Sequence, residues 1–226
     1  IIEDLKARNL LYKAETIKHT YPFCWRCDTP ILYYALDAWF IKTTAVREKL
    51  LEDNQKINWV PKTIKTGRMK DWLDSLIDWN ISRNRFWGTP LPIWVCLNGH
   101  IEVPGSREDI EKLGGKVSDD LHKPYIDNVT LKCSKCEEEM KRIPDVADVW
   151  MDSGAMPFAQ WHYPFENQKT YLEWYPADYI VEGIDQTRGW FFTLMAEAML
   201  QGNESPAPFK NVISTGLILD EKGQKI

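Results

Sequence analysis

The stretch that most constrains this chain is Asp178 to Gln201, D-Y-I-V-E-G-I-D-Q-T-R-G-W-F-F-T-L-M-A-E-A-M-L-Q. Tyr179, Ile180, Val181 and Ile184 read as a buried strand. From Trp190 the apolar residues return at helical spacing, at Phe191, Leu194, Met195, Ala198 and Met199, which predicts a helix. Between the two stand Glu182, Gly183, Asp185, Gln186 and Gly189. Open parallel α/β sheets bind ligands beyond the carboxyl ends of their strands. Two carboxylates, an amide and two glycines at such a turn suit a small polar ligand carrying an ammonium group or ribose hydroxyls, with glycine permitting close backbone approach. The same residues suit an ordinary turn whose acids cap the following helix. The turn alone leaves both readings open.

A length of 226 residues allows one large domain, or one domain with a small insertion. With 44% hydrophobic and 27% charged residues, the composition is that of a soluble globular chain. No stretch approaches the roughly 20 apolar residues of a membrane span, and the start carries no signal-peptide pattern. The expected setting is therefore the cytoplasm, with no membrane partner. The chain opens on Ile1 without an initiator Met and stops in a turn, which reads as a piece of a longer protein. A net charge of −5 argues against a surface covered in nucleic-acid-binding basic residues, although local basic stretches can still touch RNA.

Cysteine spacing supplies the next constraint. In a chain without a secretory signal, C-x-x-C pairs read as metal sites before disulfides. Cys24 and Cys27, in Y-P-F-C-W-R-C, have knuckle spacing but make only two of the four ligands zinc takes. They need a partner pair, or they are two unliganded thiols. Residues 95–145 read as an inserted small module, with Cys96 and His100 at its opening and Cys133 and Cys136 near its end. Those four residue types fit a tetrahedral Cys₃His zinc site, and a module with so small a core would draw stability from the metal. The C-x₃-H knuckle departs from the usual C-x₂-C. Within the module, Ser106 and Asp109 stand at capping-box positions of a helix that ends at Gly114.

Elsewhere the pattern predicts a short amphipathic helix near residues 2–11, a connecting strand over 13–19 and strands over 31–43. It also predicts a helix from Val46 to Leu51, a chain break at Asn58–Pro61 and a helix over 67–79 with Met69, Trp72, Leu73, Leu76 and Ile77 on one face. Asp148 to Gly154 reads as a strand entering a glycine turn, with Trp150 either core or a pocket wall. His162 reads as a structural histidine. Phe209 to Leu219 reads as β-rich, with Gly216 allowing close approach to something flat. Arg83 and Arg85 suit phosphate or carboxylate, or pairing with acidic neighbours.

Four of these motifs, Tyr21 to Cys27, Trp79 to Trp94, Asp148 to Gly154 and Val181 to Phe192, stand in the order found in one family. The chain resembles the isoleucyl-tRNA synthetases, a family of class I aminoacyl-tRNA synthetases, over essentially its whole length. The valyl enzymes are near relatives, but their counterparts of Asp148–Gly154 and Glu182–Trp190 read differently.

The resemblance implies the second half of a Rossmann-type catalytic domain with an inserted zinc-binding module. On this reading 1–20 is the end of an editing-domain insertion and linker. Residues 21–94 return into the catalytic domain, 95–145 are the module, and 146–226 are the second half of the Rossmann-type domain. It implies ATP-dependent joining of isoleucine to an adenylate and transfer to tRNA(Ile), with Zn2+ as structural metal, ATP entering with Mg2+, and a monomer. It places Glu182, Gly183, Asp185 and Gln186 at the adenylate's ammonium and ribose. Trp150 and Trp190 wall the isoleucine pocket, and Gly216 lies in the strand against adenine. It makes Cys24 and Cys27 one half of a zinc site, and Cys96, Cys133 and Cys136 part of a second, in which the ligand after Cys96 is displaced, toward His100. No residue is expected as a general base. The HIGH tetrapeptide of class I enzymes does not occur in the 226 residues, and Lys225-Ile226 matches the opening of the KMSKS loop. The chain alone is therefore expected to hold half an active site and to be inactive by itself. The competing expectation is a zinc-stabilised, non-catalytic module that docks tRNA or a protein.

Overall fold

The computed structural model describes residues 1–24, 26–202 and 207–224, in two compact units, 1–37 and 38–226. Trp25 of the first cysteine motif and Lys225-Ile226 lie outside the described residues.

The first unit holds α1 (Ile2–Ala7), which buries no residue. Leu10 and Leu11 fall beyond it, so the predicted helix is shorter than its pattern. The strand expected over 13–19 is absent: the residues there are exposed and pair with no neighbour strand. Phe23 bridges Pro30, and the loop between them is closed by Cys24 N–H on Thr29 O at 2.9 Å and Asp28 N–H on Cys24 O at 2.8 Å.

The second unit runs β1 (Phe40–Ile41), α2 (Arg47–Lys56), β2 (Asn58–Val60), α3 (Lys62–Ile64), α4 (Lys70–Asp74), β3 (Trp79–Asn80) and β4 (Ser82–Arg83). It continues with β5 (Trp94–Cys96), β6 (Ile101–Glu102), α5 (Arg107–Lys112), β7 (Thr130–Lys132), β8 (Glu139–Arg142) and β9 (Val146–Ala147). It ends with α6 (Val149–Gly154), α7 (Met156–Ala159), α8 (Gln168–Trp174), β10 (Ala177–Gly183), α9 (Trp190–Leu200) and β11 (Phe209–Thr215).

Its centre is a parallel sheet in the order β10-β11-β2, with Gly183 opposite Thr215 and Asn211 opposite Asn58. Helix α9 connects β10 to β11. It is apolar on nearly every side, as a helix enclosed by packing partners must be. Phe191, Phe192, Leu194, Met195, Ala196 and Met199 join Leu50, Trp59, Met69, Leu73, Phe209 and Val212 in the main core. The expected strand at 179–184 is real, but its burial is not. Tyr179 is 65% exposed and Val181 41%, because β10 is the outer strand of this sheet and only the face carrying Ile180 and Ile184 packs on the core.

Four further expectations change. Of the predicted strands over 31–43 only β1 forms, because only there does a partner ladder exist, on β3; Leu32, Tyr33 and Tyr34 are exposed. Asn58–Val60 is a strand rather than a break, with Trp59 fully buried; Pro61 fits where it stands, before the first turn of α3, since proline is tolerated at a helix start. The helix over 67–79 kinks at Gly67 and ends at Asp74. Met69, Leu73 and Leu76 reach the core as expected, whereas Ile77 is 72% exposed. Asp148–Gly154 is helical, not a strand and turn. The Asp148 side chain accepts from Trp150 N–H and caps α6, and a capped first turn outweighs the alternating pattern.

Segment 94–142 builds a separate antiparallel sheet, β6-β5-β8-β7. Its small core gathers Trp94, Ile110, Ile126, Val129, Leu131 and Met140. Trp94 Nε1 donates to Val129 O at 2.7 Å, and Ser106 Oγ accepts from Asp109 N–H to start α5, as the sequence predicted. The buried Arg142 side chain pairs with Asp127 and donates to Leu91 O at 3.0 Å and Asp145 O at 2.9 Å, tying this sheet to the strand that follows.

Candidate functional site

The polar turn lies where the sequence placed it. β10 ends at Gly183, a 3₁₀ turn spans Ile184–Arg188, and α9 begins at Trp190. Gly183, with Thr215 and Gly216 beside it, stands at the carboxyl edge of two parallel strands, the position at which open α/β sheets take ligands. Glu182 is exposed there, while Asp185 and Gln186 are half-buried. Gly216 falls just past β11 rather than in mid-strand and is open to solvent.

The glycines have a reason beyond ligand approach. A Cβ at Gly183 would stand 2.6 Å from Asp185 Oδ1. A Cβ at Gly189 would stand 2.5 Å from Gln186 Oε1 and 3.3 Å from Trp150 Cη2. Both glycines therefore make room for the turn's own side chains. Gln186 uses that room: its Oε1 accepts Trp190 N–H at 2.9 Å, satisfying a free donor at the start of α9. The helix start is capped by the amide of Gln186. Arg68 Nε donates to Thr187 Oγ1 at 2.9 Å, and Thr187 Oγ1 donates to Ile184 O at 2.9 Å. These bonds hold the turn from behind.

Gly189→Ala should therefore displace the Gln186 amide, remove that cap at a cost of about 1 kcal/mol, and shift Trp150. Thermal unfolding and ligand titration of the variant read the two effects separately.

The two tryptophans meet at this turn. Trp150 is 39% exposed and its ring edge lies over Gly189. Trp190 is half-buried, and its Nε1 donates to Ser153 O at 2.9 Å. One indole rides on α6 and the other on α9, and the two helices are joined by that bond.

Asp148, quoted in the sequence motif but given no role there, is the anchor of this wall. It is 5% exposed. Oδ1 accepts from Trp150 N–H at 3.4 Å, Oδ2 accepts from Trp79 Nε1 at 3.0 Å, and the carboxylate pairs with Arg83 at 2.8 Å. Arg83 is thus committed to an acidic neighbour, while Arg85 is exposed. The available signal was an aspartate directly before a helix start, which the alternating pattern concealed. His162 is exposed, with Nδ1 3.2 Å from Glu166, rather than enclosed among aromatics.

The module sheet brings four ligand-type side chains together. His100 Nδ1 lies 3.5 Å from Cys96 Sγ and 3.5 Å from Cys133 Sγ, and Cys96 Sγ lies 3.7 Å from Cys136 Sγ. All four ligand atoms fall within 4.8 Å of one another. A hydrogen bond from the Asn98 side chain, then one from Glu138 N–H, draw the Cys136 thiol down to about 6. Burial pushes the Cys133 thiol up. The arrangement can hold a tetrahedral metal ion. Cys24 and Cys27 gather no third ligand among the described residues; Cys27 Sγ instead lies 3.0 Å from Thr29 Oγ1.

No helix among the described residues is long and apolar enough to cross a membrane. Over its full length the chain is 53% identical to an isoleucine–tRNA ligase of Clostridium tetani and 54% identical to one of Picrophilus torridus, spanning 22% of each. The chain thus covers about a fifth of the length of these curated relatives. Among solved structures, Mycobacterium tuberculosis methionyl-tRNA synthetase in complex with methionyl-adenylate superposes with a TM-score of 0.51 at 20% identity, over 91% of this chain and 31% of that one, a likeness of fold. Residues 4–226 match the family described as tRNA synthetases class I (I, L, M and V), and the chain belongs to that family.

Proposed function

We propose that the protein carrying this chain activates isoleucine with ATP, which enters with Mg2+, to give isoleucyl-adenylate, and then transfers the aminoacyl group to tRNA(Ile) in the cytoplasm. The observation that carries this reading is the polar turn from Glu182 to Gly189, set at the carboxyl edge of parallel strands, with the Trp150 ring edge against Gly189 and Trp190 opening the next helix. Glu182, Asp185 and Gln186 offer acceptors to the amino acid's ammonium group and the ribose hydroxyls. Gly216 leaves the end of β11 bare for the adenylate to lie along, while Gly183 makes room for Asp185 beside it. Trp150, whose ring edge reaches Gly189, and Trp190, bonded to Ser153 O, would supply apolar walls for the side chain. Adenylate formation needs positioning and stabilisation of charge developing on phosphate; it does not need a general base, and none is assigned here. A pocket with such walls cannot strongly reject valine, which is smaller by one methylene, and isoleucyl enzymes are the standard example of that limit.

Zinc is the metal proposed for the module. Tetrahedral zinc with Zn–S bonds of about 2.3 Å and a Zn–N bond of about 2.0 Å sets sulfurs about 3.8 Å apart and sulfur and nitrogen about 3.5 Å apart. The observed 3.7 and 3.5 Å separations match these spacings. Cys96, His100, Cys133 and Cys136 would hold the ion, which fixes two β-turns to each other and takes no part in the reaction. Cys24 and Cys27 would require two further ligands from outside the described residues. The domain plan is proposed on the same basis: a zinc module at 95–145 set into a catalytic domain.

The test is isoleucine-dependent exchange of pyrophosphate into ATP by the full-length protein, alongside titration of this chain with a non-hydrolysable isoleucyl-adenylate analogue followed by tryptophan fluorescence. Exchange with isoleucine above other amino acids, with saturable analogue binding that prefers the isoleucyl over the valyl form, is the expected result. A full-length protein that exchanges pyrophosphate with another amino acid and not with isoleucine would overturn the reading.

A further inference from the structure

The two helices that carry the pocket indoles touch at one point of unusually close approach. A Cβ at Gly154, in the last turn of α6, would stand 2.2 Å from Glu197 Oε1, 2.8 Å from Glu197 Cδ and 3.1 Å from the backbone oxygen of Thr193, both on α9. The Glu197 carboxyl is laid flat across the place where a side chain of α6 would otherwise be. Its Oε1 is buried and accepts no hydrogen bond among the described residues. Next to Gly154, Ser153 O accepts the Trp190 indole N–H at 2.9 Å. One turn earlier on α6, Trp150 reaches over Gly189. The same short stretch of helix therefore holds one indole by its own backbone and the other by a hydrogen bond, and its height above α9 is set by what lies under Gly154.

We infer that the Gly154–Glu197 contact is a specificity-determining support of the amino-acid pocket: it fixes the spacing of Trp150 and Trp190 and, through it, the preference among branched aliphatic side chains. The inference rests on the proposed isoleucine-activating function and deepens it. Gly154 and Glu197 are positioning residues, acting through Trp150 and Trp190. A packed seam transmits a shift rather than absorbing it, and small misplacements of reacting groups carry large kinetic costs.

Burial, and to a lesser extent the charge of Asp152 on α6, push the Glu197 carboxyl up from its ordinary 4.5 to about 8. Among the described residues the charge acting on it is that of Asp152. The folded protein thus keeps a proton that the unfolded chain releases near 4.5. The seam is fully supported below that pH and loses support as pH rises toward 8, and above 8 a carboxylate faces Asp152.

The experiment is the ratio of kcat/KM for isoleucine to kcat/KM for valine in pyrophosphate exchange, measured on the full-length protein. Gly154→Ala is expected to lower that ratio on the order of tenfold, mainly through KM for isoleucine. Gly154→Ala combined with Glu197→Ala is expected to regain most of it, because the two shortest approaches, at 2.2 and 2.8 Å, vanish and the next is the 3.1 Å approach to Thr193 O. Independently of whether Gly154→Ala folds, the parent's ratio should fall between pH 7 and 9, and Glu197→Gln should abolish that fall. If Glu197 merely swings into water, the ratio of Gly154→Ala will equal the parent's and the double variant will differ from neither; a flat pH profile in the parent would likewise overturn the inference. A parent that does not use isoleucine at all would overturn the proposed function itself, and this inference with it.

Discussion

Cys133→Ser is expected to unfold the sheet of residues 94–142 at ordinary temperature and to abolish the zinc binding proposed for its Cys/His cluster. Cys133 is 2% exposed, and its sulfur lies 3.5 Å from His100. A serine hydroxyl there is a shorter, harder ligand that does not ionise near neutral pH. The loss of metal affinity should exceed the roughly 10–100-fold that follows from removing a mere supporting partner of a ligand. The core beneath is small, with Trp94, Ile110, Ile126, Val129, Leu131 and Met140 at its centre, and a core of that size would lean on the proposed ion. Metal content by mass spectrometry and near-ultraviolet circular dichroism of Trp94 would check both halves of the expectation. Chelator treatment of the unmodified protein should give the same spectrum. A Cys133→Ser protein with full metal content and an unchanged spectrum would remove the zinc proposal.

Asp148→Ala should cost about 2–3 kcal/mol of stability and also weaken binding at the proposed amino-acid pocket. The upper part of the range for breaking a buried ion pair is about 3–5 kcal/mol, but Arg83 is 38% exposed on its side chain and can turn to water, which lowers the loss. The remaining cost comes from Trp79 Nε1 without its acceptor and from the lost cap of α6, about 1 kcal/mol. Asp148→Asn keeps one acceptor oxygen, which can serve the cap or Trp79 Nε1 but not both, and loses the charge opposite Arg83, so it should fall between the parent and alanine. Denaturant unfolding ranks the three proteins. Analogue titration should show Asp148→Ala binding more weakly than its stability alone accounts for, because Trp150 is held at its backbone N–H by this carboxylate.

How much of this was legible in the sequence depends on the length of the signal. Helix α9 was readable because eleven residues, Trp190–Leu200, make a near-continuous apolar run too long for a typical strand. The strand before it was readable as a strand and misread as buried, since exposure depends on which strands flank β10, and no local pattern encodes sheet order. Asp148–Gly154 failed for a different reason. Alternating apolar and polar residues satisfy a strand, and a single capping carboxylate reverses the outcome at a range of two residues. At 31–43 aromatic richness was real but a ladder partner existed only for β1. In the site, the polar turn and the ligand-type residues of the module were visible by residue type. The hidden part was everything that acts through contact: Asp148 under Trp150, Gln186 as the cap, and Glu197 under Gly154. Each joins residues far apart in sequence or depends on the direction of one side chain.

The knuckle at Cys96–His100 carries a lesson about how such sites are recognised. It is one residue longer than a cysteine pair, and Gly99, at φ +77°, takes up the extra length while Cys96 N–H still bonds to His100 O at 3.1 Å. A thiol sulfur stands one bond beyond Cβ, whereas imidazole Nδ1 stands two. The longer loop compensates for the longer arm. Loop length and ligand reach are therefore a single variable in disguise, and a search for knuckles that fixes the spacing while letting the ligand vary passes over sites of this kind.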